Sequence, residues 1–234
     1  KTKQSFKEIA IDLDIGGTFT DCYVSYEGGY TIGKSSTTKY DVSVGALRAI
    51  EASGESLGLQ LDELLEECVS VSYSTTISLN TLIERTGPKL GLITTEGFED
   101  VTLIGRARSW VDGKQPEEIR NKAKAQKPVP IIPREMIAGV KERVDWSGEI
   151  IAPLDKDSVI KQVHNLVDKG AMGFVVSLLW SFKNPDHELQ VRDIIDELYP
   201  EKYLGAMPVL LSHEISPNSG EYPRTNSTIL SAYM

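Results

Sequence analysis

Apolar, β-branched residues dominate Ile9–Asp14 (Ile-Ala-Ile-Asp-Leu-Asp), a pattern that predicts a strand. A Gly-Gly turn follows, and Thr20–Tyr26 predicts a second strand. Glu27-Gly28-Gly29 is a turn signal, after which Tyr30–Thr37 reads as the returning strand. Asp41 stands where an N-cap belongs, and Val44, Leu47 and Ile50 mark one face of a short helix.

From residue 61 the pattern becomes an alternation of strands and helices. Leu61–Glu67 reads as helix, Val69–Ser74 as a short strand, and Thr76–Arg85 as a helix stopped by Gly87-Pro88. Leu90–Thr94 is an apolar strand of the buried type, with a short helix expected from Phe98. Between Gly105 and Pro133 lies a polar, Lys- and Pro-rich insertion with a helical turn expected near Glu117–Ala125. Ile137–Asp145 and Glu149–Ala152 predict a hairpin around Ser147-Gly148. Asp155–Lys169 is a predicted helix with Val159, Val163, Leu166 and Val167 inward. Gly173–Leu179 reads as a buried strand, and Pro185–Leu198 as a helix with Pro in its first turn and Leu189, Ile194, Ile195 and Leu198 on one side. Pro208–Leu211 is a last strand, and Glu221–Met234 runs into a helix. Three strands followed by alternating helices and strands predict an α/β fold: a mixed β-sheet with flanking helices.

Composition changes this picture little. The chain has 234 residues, 40% hydrophobic and 25% charged, as a folded protein has. Charge matters more: 25 basic against 34 acidic residues leave −9. A surface field of that sign repels phosphate backbones and acidic membranes, so neither nucleic acid nor a membrane is an expected partner; a local basic pocket for a small anion stays open. The longest apolar stretch, Gly173–Trp180, is too short to cross a bilayer, and the opening residues do not read as a signal peptide. With only Cys22 and Cys68, free thiols are expected and a disulfide framework is not, which together points to the cytoplasm. The sequence opens at Lys1 without Met and stops within the helix-like run Thr228–Met234, so a piece of a longer polypeptide is expected.

Chemistry concentrates in Asp14-Ile15-Gly16-Gly17-Thr18-Phe19-Thr20-Asp21, which joins two predicted strands. Gly16 and Gly17 lack Cβ, so their N–H groups are expected to approach a ligand closely, to take unusual φ/ψ values and to form an anion nest. Thr18 and Thr20 add hydroxyl donors. Asp14, at the strand end, either holds a hydrated divalent cation such as Mg²⁺ or merely caps the turn.

This string is similar to the first phosphate loop of the actin, Hsp70 and sugar-kinase superfamily. More narrowly, it resembles the N-terminal domain of the hydantoinase A and 5-oxoprolinase family. Thr75-Thr76-x3-Asn80-Thr81-Leu82-Ile83-Glu84-Arg85-x-Gly87 looks like that family's next block. So do Leu92–Asp100 with Ile104-Gly105-Arg106, Glu142-Arg143, Asn184-Pro185-x-His187-Glu188, Ser212-His213-Glu214 and Gly220-Glu221-Tyr222-x-Arg224-Thr225. The likeness runs over about residues 8–234. Two places depart from it. Tyr73-Ser74 stands where the family often has His-Gly, and Arg106-Ala107-Arg108-Ser109-Trp110 where it often has Arg-x-x-Arg-Pro. The continuation Trp110–Gly113, with Ile132-Pro133-Arg134-Glu135, most resembles the acetone carboxylase type.

The resemblance implies a ribonuclease H-like half of the actin-type fold. It implies one N-terminal domain over residues 1–220, with an insertion near 106–134, and in 221–234 the start of a connection to a second, cleft-closing domain. It implies ATP and Mg²⁺ as cofactors and phosphorylation of a carbonyl or amide oxygen, for carboxylation of an acetone-type ketone or for hydrolysis of a hydantoin or 5-oxoproline. A small-molecule substrate, the rest of the polypeptide and a hydantoinase B-like subunit are the implied partners. Gly16, Gly17, Thr18 and Thr20 would cradle phosphate; Asp14, Thr75, Thr76 and Arg106 would form the catalytic group; Asn80, Arg108, Glu214 and Arg224 would lie on the substrate side. Local readings compete with several of these. Thr75 or Thr76 serves equally as an N-cap, Arg106 and Arg108 as solvated charges, and Glu221 with Arg224 as an ion pair. His164, His187 and His213 are not spaced as a metal site; Glu188 reads as a helix cap, and His213-Glu214 ends a strand, where α/β sheets bind ligands. An actin- or Hsp70-like nucleotide switch and a sugar-type kinase are the rival functions, since both share the loop.

Overall fold

Strand β1 (Ile9–Ile15) buries Ile9, Ile11, Leu13 and Ile15 and turns Asp12 and Asp14 outward, as its alternation requires. It pairs antiparallel with β2 (Phe19–Tyr26), which pairs antiparallel with β3 (Gly29–Ser36). On its other side β1 runs parallel to β4 (Cys68–Thr75), giving a mixed sheet of order β3-β2-β1-β4. The computed structural model describes residues 8–105, 111, 113–121, 127–200 and 207–234. The chain divides into two compact units, Lys1–Glu84 and Arg85–Met234.

In the first unit, helix α1 (Val42–Leu57) covers the buried face of this sheet. Asp41 caps it as expected, accepting the Ser43 N–H, and Gly58 ends it at φ 73°. The face it presents is not the one the apolar spacing predicts. Gly45, Ala46, Ala49, Ile50, Ser53 and Gly54 are buried, whereas Leu47 is 44% exposed. The reason is close approach: a Cβ on Gly33 of β3 would lie 2.1 Å from the Ala49 carbonyl oxygen. Helix and sheet touch through small residues, which a hydrophobic count passes over. Helices α2 (Leu61–Glu66) and α3 (Ile77–Glu84) flank β4 along the chain.

The second unit carries a parallel sheet of order β10-β9-β5-β6, built from β5 (Leu90–Thr95), β6 (Ile137–Val140), β9 (Gly173–Ser177) and β10 (Val209–Leu211). Every residue of β5, β6 and β9 is buried, as strands covered on both faces demand. The hairpin expected over 137–152 is corrected: Ile137–Val140 leaves it to pair with β5, and only β7 (Arg143–Val144) and β8 (Ile150–Ala152) form the hairpin. A parallel partner lies far away in sequence, so no local pattern announces it. Between β5 and β6 come α4 (Val101–Ile104) and α5 (Pro116–Arg120), the latter part of the predicted turn; residues 122–126 lie outside the described residues. Helix α6 (Lys156–Asp168) buries Val159, Val163 and Leu166. Helix α7 (Asp186–Leu198) places Pro185 at the N-cap instead of the first turn, and it buries His187, Glu188 and Val191 besides Ile194 and Ile195. Helices α8 (Ser212–Ile215) and α9 (Glu221–Tyr233) complete the chain, α9 packing on β9.

Candidate functional site

The Gly-Gly turn sits where β1 ends, beside the end of its parallel neighbour β4. Three hydroxyls and four carbonyls lock it. The Gly16 N–H donates to the Phe19 carbonyl at 3.0 Å. Thr37, just past β3, donates its hydroxyl to the Gly16 carbonyl at 2.8 Å, and its N–H donates to Thr18 O at 2.9 Å. Because the Thr37 proton is committed, the buried Thr20 hydroxyl is the donor in its 2.9 Å contact with Thr37. On the other flank Thr75 donates to Ile15 O at 3.0 Å and accepts the Ile77 N–H at 3.2 Å. Thr75 therefore does the capping work its local sequence offered, while also tying β4 to the turn.

Neither glycine takes a positive φ. Close packing favours glycine at 16, where a Cβ would stand 3.0 Å from the Phe19 carbonyl oxygen; at 17 a Cβ would meet the movable end of the Asn80 side chain at 2.9 Å. The Gly16 N–H is spent inside the turn, so the Gly17 and Thr18 backbone forms the approachable part of it.

Asp14 is exposed at the end of β1, and its Oδ1 accepts the Ser74 hydroxyl at 3.1 Å. Across the sheet, Asp14 stands opposite Asp21 on β2, which faces Lys34 on β3. The Lys34 ammonium meets Asp21 Oδ1 at 2.7 Å and lies 5.0 Å from the Phe19 ring centre. Asp14, Gly16, Gly17, Thr18, Ser74, Thr75, Thr76 and Asn80 thus gather at one end of the first unit's sheet. Thr20 belongs to the same framework but faces the core. Lys34 and Thr37 were given no role from the sequence, and Ser74 and Asp21 were noted without one; the register of the strands, which places Ser74 beside Asp14, was the signal that could have assigned it.

The remaining candidates lie in the second unit or outside the described residues; Arg106 and Arg108 are among the latter. Glu214 is half-exposed and pairs with Arg192 at 2.8 Å. Arg224 is fully buried, donating Nε to Ser212 Oγ, Nη1 to Asn218 O and Nη2 to Leu178 O at 3.1, 3.0 and 2.9 Å. Burial pulls its guanidinium below the usual arginine range, an effect opposed by the charges of Glu221 and Glu188.

Around Arg224 runs a polar network that sequence reasoning missed. The buried Glu188 carboxylate accepts Leu178 N–H, Ser212 Oγ–H, His213 N–H and His213 Nδ1–H, at 3.0, 2.6, 3.1 and 2.6 Å. Glu188 therefore does not cap its own helix; it pins the segments that leave β9 and β10. A second buried pair, His187 Nδ1 and Glu142 Oε2 at 2.8 Å, is joined to β5 by the Thr95 hydroxyl, which donates to Glu142 Oε1 and accepts Leu179 N–H. Trp180, at φ 58°, closes this end of β9 in a backbone region bulky residues rarely occupy.

An actin-like α/β fold, with an Asp-x-Gly-Gly-Thr turn after its first strand, defines the class of this domain. The chain belongs to the hydantoinase/oxoprolinase N-terminal family, whose model matches residues 9–199. It is 48% identical over 225 residues to the acetophenone carboxylase gamma subunit of Aromatoleum aromaticum, covering 96% of this chain and 31% of that protein. Among solved structures, it matches the nucleotide-free acetone carboxylase from a study of ATP-dependent acetone carboxylation with a TM-score of 0.88 at 34% identity, over 98% of this chain and 32% of that one. The ATP-dependent caprolactamase of Pseudomonas jessenii follows with a TM-score of 0.79 at 28% identity, over 96% of this chain and 31% of the other. The chain thus spans about a third of the length of the relatives it matches. Among the described residues no helix is long and apolar enough to cross a membrane.

Proposed function

We propose that this chain is the nucleotide-binding N-terminal part of an ATP-dependent enzyme subunit that phosphorylates a carbonyl or amide oxygen. The observation that carries the proposal is the locked Gly16-Gly17-Thr18 turn, with the exposed Asp14 carboxylate immediately before it. Magnesium suits the donors present: a carboxylate and a hydroxyl are hard oxygen groups. Among the described residues no three acidic, His or Cys side chains converge on a metal, so phosphate and water would supply most ligands. Bound Mg²⁺–ATP would bring an electrophilic phosphoryl group. The protein's share is positioning and charge neutralisation. Asp14 would orient the cation or its water, Gly17 and Thr18 would let the backbone approach phosphate, and Thr75 and Thr20 would hold the turn rigid. Thr76 and Asn80 stand at the start of α3 on the same side, facing the transferred group in this reading.

Carboxylation of a ketone is favoured over opening of a cyclic amide, because the identity to the acetophenone carboxylase subunit, 48%, exceeds that to the caprolactamase, 28%. In this reading residues 1–220 form the N-terminal domain and 221–234 begin the connection to a second domain. A hydantoinase B-like subunit and a small-molecule substrate complete the enzyme, and Arg106 and Arg108 would clamp its carboxylate or bicarbonate. The test is ATP consumption by the full-length polypeptide with its co-purifying subunits. Consumption is expected to require a ketone plus bicarbonate. Hydrolysis indifferent to ketones and cyclic amides, and stimulated only by a protein partner, would support a nucleotide switch and overturn the proposal.

A further inference from the structure

One row of registered residues crosses the outer face of the first unit's sheet: Lys34 on β3, Asp21 on β2, Asp14 on β1 and Ser74 on β4. Two carboxylates stand directly opposite each other, an arrangement that costs free energy in an antiparallel pair unless a cation compensates. The compensation is one-sided. Lys34 holds Asp21 at 2.7 Å, whereas among the described residues Asp14 receives only the neutral Ser74 hydroxyl, at 3.1 Å. All four side chains reach solvent, and Asp12 adds another exposed carboxylate two residues back on β1. The row therefore carries two negative charges and one positive, with the unpaired negative charge at the mouth of the Gly-Gly turn.

We propose that Asp21 and Lys34 form a charge-tuning pair that sets the divalent-cation affinity of Asp14, and that Ser74 is a positioning residue, fixing one carboxylate oxygen so that the other points outward. The inference rests on the reading of Asp14 as the cation-orienting residue. It adds that affinity follows the summed charge of the row. Lys34 keeps Asp21 from competing as a second ligand, so the cation stays loosely held and mostly hydrated, as a nucleotide-borne magnesium ion requires.

The test is Mn²⁺ titration of the full-length polypeptide with a non-hydrolysable ATP analogue, followed by electron paramagnetic resonance of the free ion. Lys34→Gln raises the negative charge of the row and is expected to tighten Mn²⁺ roughly threefold; Asp21→Asn lowers it and weakens Mn²⁺ by roughly the same factor. The double variant restores the original charge sum and returns close to wild type. All three differences shrink at high ionic strength. Ser74→Gly is expected to broaden the signal of the bound ion, reporting a less fixed carboxylate, and Ser74→Thr to restore it. Asp14→Asn separates the two levels of the account. If it leaves Mn²⁺ binding unchanged, the underlying reading falls. If it lowers the affinity to that of the analogue alone while Lys34→Gln and Asp21→Asn have no effect, or act in the same direction, the tuning proposal falls alone.

Discussion

The two units handle polar groups in opposite ways. In the second, the buried Glu188 accepts four hydrogen bonds and the buried Arg224 donates three, around the ends of β9 and β10. In the first, Asp14, Asp21, Lys34 and Ser74 lie in the open, with, among the described residues, a single hydrogen bond at Asp14 and one ion pair at Asp21. Saturated, buried polarity fixes architecture, because each partner is costly to strand. Exposed, half-satisfied polarity at the end of a strand is free to change partners, which a ligand site needs. The contrast also explains why polar residue blocks that look alike in sequence serve different ends in the two units.

The largest effect expected from breaking this contrast is at Glu188. Glu188→Ala strands buried donors from Leu178, Ser212 and His213 and is expected to cost about 3–5 kcal/mol, read as a fall in urea midpoint. Asp14→Asn is its counterpart: stability without ligand is expected to move by no more than about 0.5 kcal/mol. The stabilisation given by Mg²⁺–ATP, about 2.7 kcal/mol at a hundredfold excess over Kd, disappears in a thermal-shift assay. An intermediate effect is expected from Gly33→Ala, which pushes a methyl group against the Ala49 carbonyl and costs about 1–3 kcal/mol of stability without touching the turn. The smallest is a pH effect at the hairpin turn. The Ser147 hydroxyl, which donates to Asp145, is the main reason that carboxylate lies below the usual range. A depressed folded-state pKa gives stability above the unfolded value, about 3.9, that is lost as pH falls through the folded one. The Ser147 amide resonance should therefore shift in that acid range, and Asp145→Asn should remove the shift.

The strands of the first unit's sheet were legible because Ile9–Asp14 is an apolar, β-branched run and glycine pairs mark the turns between its neighbours. Features set by close approach or distant pairing were not. The small-residue face of α1 carries no hydrophobic signal, so Leu47 was placed inward although it faces solvent. Ile137–Val140 is as apolar as a hairpin strand, and only its parallel pairing with β5 removes it from one. At the turn, Asp14, Gly16, Gly17 and Thr18 stood out in the sequence as one short string, whose proposed role came with the family resemblance. The roles of Ser74 and Lys34 could not be read there, because their nearness to Asp14 and Asp21 depends on register across β4 and β3. Glu188 was read as a cap because a local rule was applied to a residue whose partners lie 10, 24 and 25 positions away.

The central claim is that the Gly-Gly turn receives the phosphate tail of a nucleotide. Its most direct test is a crystal structure of the full-length polypeptide with Mg²⁺ and a non-hydrolysable ATP analogue. The account expects phosphate density against the Gly17 and Thr18 backbone, with the cation or its water shell at Asp14. Density for the analogue at another place, with this turn and Asp14 untouched, would contradict it.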